Sequence, residues 1–223
     1  MTDSSTLIEA VCAGDITAVT GFLSIEPMLA QSRNASGVSA LLLALYHGHD
    51  RLAKVLEQRL PRLDIFEAAA LGEVEQVQRF LSADPALADA RTADGFDALG
   101  LAAHFGQEAA VALLVRWSDP NRASENALQV TALHAAVACR VRDKALPLAR
   151  MLLAHGANPN LRQQRGWTAL HGAAASGQSS LVKLLLEHGA DPSIPDDEGL
   201  CAADRARKSG HEALAATIPV GSG

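Results

Sequence analysis

Arg162 to Ile194 reads R-Q-Q-R-G-W-T-A-L-H-G-A-A-A-S-G-Q-S-S-L-V-K-L-L-L-E-H-G-A-D-P-S-I. Thr168 stands where a helix starts, because its hydroxyl can accept from the orphan amides of a first turn. Leu170, Ala173 and Ala174 follow at helical spacing, and the small residues let helices approach closely. Gly177 stops this helix, since it tolerates positive φ. Leu181, Val182, Leu184, Leu185 and Leu186 mark a second, more apolar helix. Gly189 ends it, and Asp191-Pro192 opens an extended turn. Two helices of about eight residues cannot hide this much leucine alone; at roughly 1.5–3 kcal/mol per buried Leu or Val, stability comes only when copies stack.

The glycine after each first helix tests for copies. Gly14, Gly48, Gly72, Gly106, Gly177 and Gly210 fill this place, with Arg140 standing for Gly once, at steps of 34, 24, 34, 34, 37 and 33 residues. A period near 33 is that of stacked helix-turn-helix units joined by hairpins. The step of 24 leaves little room between Leu60 and Ile65, so no projecting finger is expected there. The step of 37 places a four-residue insertion around Arg140 to Leu146, with Pro147 suited to a first helical turn.

Thr131-Ala132-Leu133-His134 and Thr168-Ala169-Leu170-His171 resemble the T-P-L-H signature of ankyrin repeats. His155-Gly156-Ala157-Asn158-Pro159-Asn160 and His188-Gly189-Ala190-Asp191-Pro192-Ser193 resemble the G-A-D-x-N ending of the same family. The resemblance runs from about Thr6 to Ile218 and is strongest in the last half. It implies an all-α solenoid of stacked helix-turn-helix units with short β-hairpin fingers, about seven repeats including N- and C-terminal caps. The expected organisation is a disordered N-terminus at 1–5, one elongated ankyrin-repeat domain at 6–218 and a disordered tail at 219–223.

Hydrophobic residues make up 48% of the 223, ample for a continuous core, and the net charge of −6 argues against nonspecific DNA binding. Cys12, Cys139 and Cys201 lie far apart without C-x-x-C spacing, which fits a reducing compartment. Met1 to Thr6 is polar, and the apolar run from Ala40 to Tyr46 is too short to span a bilayer. A cytoplasmic monomer without cofactor or metal is expected. His47 and His49 form an H-x-H pair with no third ligand nearby. No phosphate-binding loop, nucleophile elbow, zinc-protease helix or calcium loop occurs, so no enzyme activity is expected. Asp196-Asp197-Glu198 reads as a solvated finger tip, and the last first-helix, with Asp204 and Arg205, as a polar end cap.

In ankyrin repeats, contact with partners is made by finger tips and by the first-helix residues before the turn glycine. Carried onto this chain by position, that surface includes Tyr46, Phe96, His104, Phe105, Val130 and Trp167. Aromatics there make good anchors, although Phe96 and Trp167 can equally brace adjacent fingers. From Arg140 to Arg165 six basic residues face one acid, giving +5 here against −11 elsewhere. Arg162 and Arg165 on one finger would then meet a partner with an acidic surface; the alternative is plain solvated helix faces. The resulting expectation is a protein–protein interaction module that binds through a concave finger and inner-helix surface, with no membrane or nucleic-acid partner. The competing function is a regulatory or immunity-type subunit that inhibits or stabilises one enzyme.

Overall fold

The computed structural model describes residues 3–219. Fourteen α-helices are present among the described residues, and the only β pairing among them is an isolated antiparallel bridge between Arg33 and Ser39. The expected β-hairpin fingers are therefore tight turns. Four of them close on backbone bonds, such as Asn34 N–H to the Val38 carbonyl (2.9 Å) and Gln163 N–H to the Trp167 carbonyl (2.8 Å). The segments are too short for a ladder. No helix among the described residues is long and apolar enough to cross a membrane.

The chain divides into two compact units, one of described residues up to Ala68 with Thr92–Asp94, the other of Ala69–Arg91 and the residues from Gly95 onward. In the first unit, α1 (Ser4–Ala13) and α2 (Ile16–Ile25) form a pair, followed by α3 (Ala40–Tyr46) and α4 (Asp50–Glu57). Leu7, Val11, Val19, Leu23, Leu41, Leu42, Leu52 and Leu56 are its buried core. The carboxylate of Asp3 caps α1 by accepting from Thr6 N–H at 2.9 Å. Residues 3–5 thus belong to a helix start, a correction to the disorder expected at 1–5; Met1 and Thr2 lie outside the described residues, as do 220–223 of the expected tail.

α5 (Ile65–Leu71) runs across the division. No bridge or turn-closed finger precedes it after α4, as the short step requires. The second unit continues with α6 (Val74–Ala83), α7 (Ala98–His104), α8 (Glu108–Leu114), α9 (Ala132–Val137) and α10 (Arg142–Ala154). It ends with α11 (Ala169–Ala175), α12 (Ser179–Glu187), α13 (Ala202–Lys208) and α14 (Glu212–Ala215). First helices pack on first helices, α7 on α9 and α11 on α13, and second helices on second helices, α10 on α12. The inserted residues lengthen α10 at its start instead of forming a loop. Pro147 consequently lies inside the helix, not in its first turn, where it forgoes one helical hydrogen bond.

All six turn glycines lie at φ between 66° and 84°, in the left-handed region that glycine enters without penalty. Three of them, Gly14, Gly72 and Gly177, carry a second constraint, that of Gly72 being the Gln107 amide 2.5 Å from where its Cβ would fall. A Cβ on Gly14 would fall 2.6 Å from the His49 ring, and one on Gly177 would fall 2.5 Å from the His211 ring. The residue after the next turn glycine reaches back over each such turn. His49 Nε2 meets the Cys12 carbonyl at 3.2 Å. Gln107 and Gln178 donate to the carbonyls of Ala70 (3.0 Å) and Val137 (3.2 Å). At the other end of each pair, amide side chains bridge successive turns. Asn121 Nδ2 donates to the Gly156 carbonyl at 2.9 Å while its oxygen accepts from Asn158 N–H at 2.7 Å. Asn160 does the same with Gly189 (2.9 Å) and Asp191 (2.8 Å).

Candidate functional site

The fingers of the second unit are tied to one another by backbone bonds. Glu125 N–H donates to the Gly95 carbonyl at 2.9 Å, Gln164 N–H to the Leu128 carbonyl at 2.8 Å, and Asp197 N–H to the Arg165 carbonyl at 3.0 Å. Each tip therefore satisfies a backbone group of the tip before it, and the row has fewer free conformations than separate loops would have.

The base of each finger is fixed by the first turn of the following helix. Thr168 N–H (3.1 Å) and Thr168 Oγ1 (2.9 Å) both approach His171 Nδ1. With its hydroxyl already accepting from the backbone of His171, Thr168 donates to that nitrogen, so the imidazole proton sits on Nε2. Nε2 donates onward to the Leu200 carbonyl of the next finger at 3.1 Å. His134 repeats the box with Thr131, at 2.8 Å from Oγ1. Burial holds the His134 pKa down to about 4, partly offset by the Trp167 and Leu161 carbonyls. His171 thus joins its box to the next finger, while the hydrogen bonds of His134 stay within its own box.

Of the residues singled out from the sequence, Tyr46 belongs to the first unit. Burial first, then the Asp94 carboxylate with which it is hydrogen-bonded, pushes its phenol well above the ordinary range. The other candidates are in the second unit. Phe105 is buried, which corrects its assignment as a surface anchor. Its ring lies edge-on to His104 at 5.0 Å and under the Arg140 guanidinium at 5.5 Å. His104 is half-buried, and burial followed by the Arg140 charge lowers its pKa. Phe96 and Val130 are half-buried, and Val130 N–H is held by Ser124 Oγ at 2.9 Å. Trp167 is half-buried between the His171 ring (6.3 Å) and the Arg205 guanidinium (5.2 Å). Its ring is thus held between two successive first helices, α11 and α13.

The basic run is mostly occupied within the chain. Arg142 donates to the Ser176 carbonyl (3.2 Å), Lys144 pairs with Glu108 (2.7 Å), and Arg162 binds the Gly166 carbonyl (3.1 Å) and the Asp197 carboxylate (2.8 Å). This corrects the expectation that Arg162 is offered to a partner. Arg165 is exposed, and no ion pair engages it among the described residues. The acidic finger is likewise not simply solvated. Asp196 is buried against Arg205, which also meets Glu198 at 3.0 Å, and Glu198 meets Lys208 at 3.0 Å. Burial raises the Asp196 carboxyl, but the Leu200 and Glu198 amides and Arg205 outweigh it and hold its pKa low. Arg205 is itself buried, so the last first-helix is not the water-facing cap its polarity suggests.

Leu128 was not among the candidates from the sequence, yet it is 42% exposed at a finger tip. With Gln163, Gln164, Arg165 and Trp167 it lines an open hollow of about 220 Å³. Among the described residues, the non-glycine residues at positive φ are Gln129 (52°) and Arg165 (66°). They belong to the two fingers that form this hollow. Left-handed backbone at such residues costs about 1–2 kcal/mol each and is commonest at binding sites. The only forewarning in the sequence is an apolar Leu128 within a long polar finger. Among the described residues no group of three or more His, Cys, Asp or Glu is placed to hold a metal.

The family model described as Ankyrin repeats (3 copies) matches residues 65–163 and again 138–218. No curated protein matches the chain. Ankyrin repeats are generally protein–protein interaction modules, typically without enzymatic activity. The two matched stretches span more than half of the sequence and contain both Thr–His boxes and both asparagine bridges; the chain belongs to the ankyrin-repeat family.

Proposed function

We propose that this chain, with about seven repeats including two caps, binds a partner protein through the finger and inner-helix face of its second unit. The observation that carries the reading is the row of amide-to-carbonyl bonds joining the tips at Gly95, Glu125, Leu128, Gln164, Arg165 and Asp197. A surface already ordered before association loses little conformational entropy on binding. Phe96, His104 and Trp167 flank this row as half-buried side chains, and Arg165 adds an exposed positive charge suited to an acidic partner surface. Three cysteines without disulfides suit a reducing cytoplasm.

A quantitative pull-down tests the reading, comparing the chain with a Leu128→Asp, Arg165→Glu double variant. Both positions are exposed, so the variant keeps its fold. A partner held by the parent and lost by the variant is expected. A partner held equally by both rejects this face as the binding surface.

A further inference from the structure

We infer that the hollow between Leu128 and Trp167 receives a short partner segment in which an apolar side chain stands next to a carboxylate. The inference rests on the protein-binding reading above and specifies the chemistry of the partner. Size comes first. At about 220 Å³ and open to solvent, the hollow is smaller than the ~300–1,000 Å³ clefts that enclose small-molecule ligands. It suits a side chain carried by a polypeptide. Its apolar walls are the exposed Leu128 and the flank of Trp167, whose ring is fixed by His171 and Arg205.

Charge sets the second requirement. Four of the six basic residues between Arg140 and Arg165 are engaged within the chain, by a phenylalanine ring, a carbonyl or a carboxylate. Asp197, the acid on the neighbouring finger, is neutralised by Arg162 at 2.8 Å. Arg165 therefore brings an uncompensated guanidinium to the rim of the hollow, and a carboxylate complements it. Gln163 and Gln164 supply amides that can accept and donate along the segment's backbone. The backbone supports the same assignment. Both left-handed non-glycine residues, Gln129 and Arg165, occur in the fingers that build this hollow. Interfinger bonds at Leu128 and Arg165 hold them there.

Selection of phage-displayed random peptides on the full chain tests this. The expected consensus pairs an aliphatic or aromatic residue with Asp or Glu within one or two positions of it. Arg165→Glu should exchange the preferred acid for Lys or Arg, and Leu128→Asp should abolish enrichment. A synthetic peptide of the selected sequence should bind Arg165→Glu about tenfold more weakly than the parent. A consensus without acid, or one unchanged by Arg165→Glu, overturns the inference, as does the absence of any enriched peptide. A dimer in sedimentation that Leu128→Asp dissolves would assign the hollow to a second copy and overturn it as well. A folded partner lost by the double variant in the pull-down, together with failed peptide selection, rejects only the short-segment chemistry. Failure of both rejects the protein-binding reading itself.

Discussion

At the start of α5 the box is made by two carboxylates, and at the start of α11 by a threonine and a histidine. Asp64 N–H donates to Glu67 Oε2 and Glu67 N–H to Asp64 Oδ1, both at 2.9 Å. The Thr168–His171 box satisfies the same two amides with a hydroxyl and an imidazole nitrogen. The two side chains respond oppositely to burial. Glu67 is buried, and burial, then the Asp64 charge, raises its pKa. Burial lowers His171, as it does His134. One geometric task is thus met by an acid that burial pushes toward its neutral form and by a base that burial keeps unprotonated. His171 also reaches forward to the next finger through Leu200, whereas the Glu67 carboxyl reaches back to the Ser39 hydroxyl at the start of α3.

The largest expected break in this symmetry is His171→Ala. It strips partners from the buried Thr168 amide and the Leu200 carbonyl and leaves a hole, at a cost of about 3 kcal/mol in urea unfolding. The next is pH. A neutral histidine with a depressed pKa gives stability that is complete above the unfolded value of 6.5 and is lost as pH falls toward about 4. For His134 the loss amounts to roughly 2–3 kcal/mol over that interval. His134→Gln should flatten that part of the stability curve. Glu67 carries the opposite sign: its folded pKa is raised, so the cost of its charge is relieved as pH falls through that pKa toward the ordinary 4.5. Glu67→Gln should change stability at pH 7 by under about 1 kcal/mol. It should remove this acid-side gain, read from parallel unfolding curves. The smallest effect belongs to the exposed Arg162–Asp197 pair, where Arg162→Ala should cost about 0.5–1 kcal/mol and less at high salt.

The sequence exposes the local bonds and hides the distant ones. Turn glycines and T-x-L-H runs announce helix ends because their chemistry acts within one turn, and both Thr–His boxes stand where that pattern puts them. Asp64-Ile65-Phe66-Glu67 carries the same kind of signal as a D-x-x-E box. It differs from the Thr–His form only in its residues. The engagements of Arg142, Arg162 and Gln178 link residues 34, 35 and 41 positions apart. No local spacing distinguishes them from solvated charges, which is why Arg162 reads as a contact residue and proves to be a tie between fingers. Phe105 shows the converse. Its place before the turn glycine suggests exposure, while Arg140, standing where the next turn glycine would be, lies over its ring. The exposed Leu128 directly precedes the left-handed Gln129, a conformation that glutamine does not advertise.

Amide hydrogen exchange of Glu125, Gln164 and Asp197 in the free chain tests most directly whether the fingers are ordered before any partner arrives. Their N–H groups are the donors that join successive tips. Protection of these three amides comparable to that of α11, unchanged when a partner binds, is the expected result. Exchange at unfolded-chain rates in the free protein, with protection gained only on binding, would contradict it.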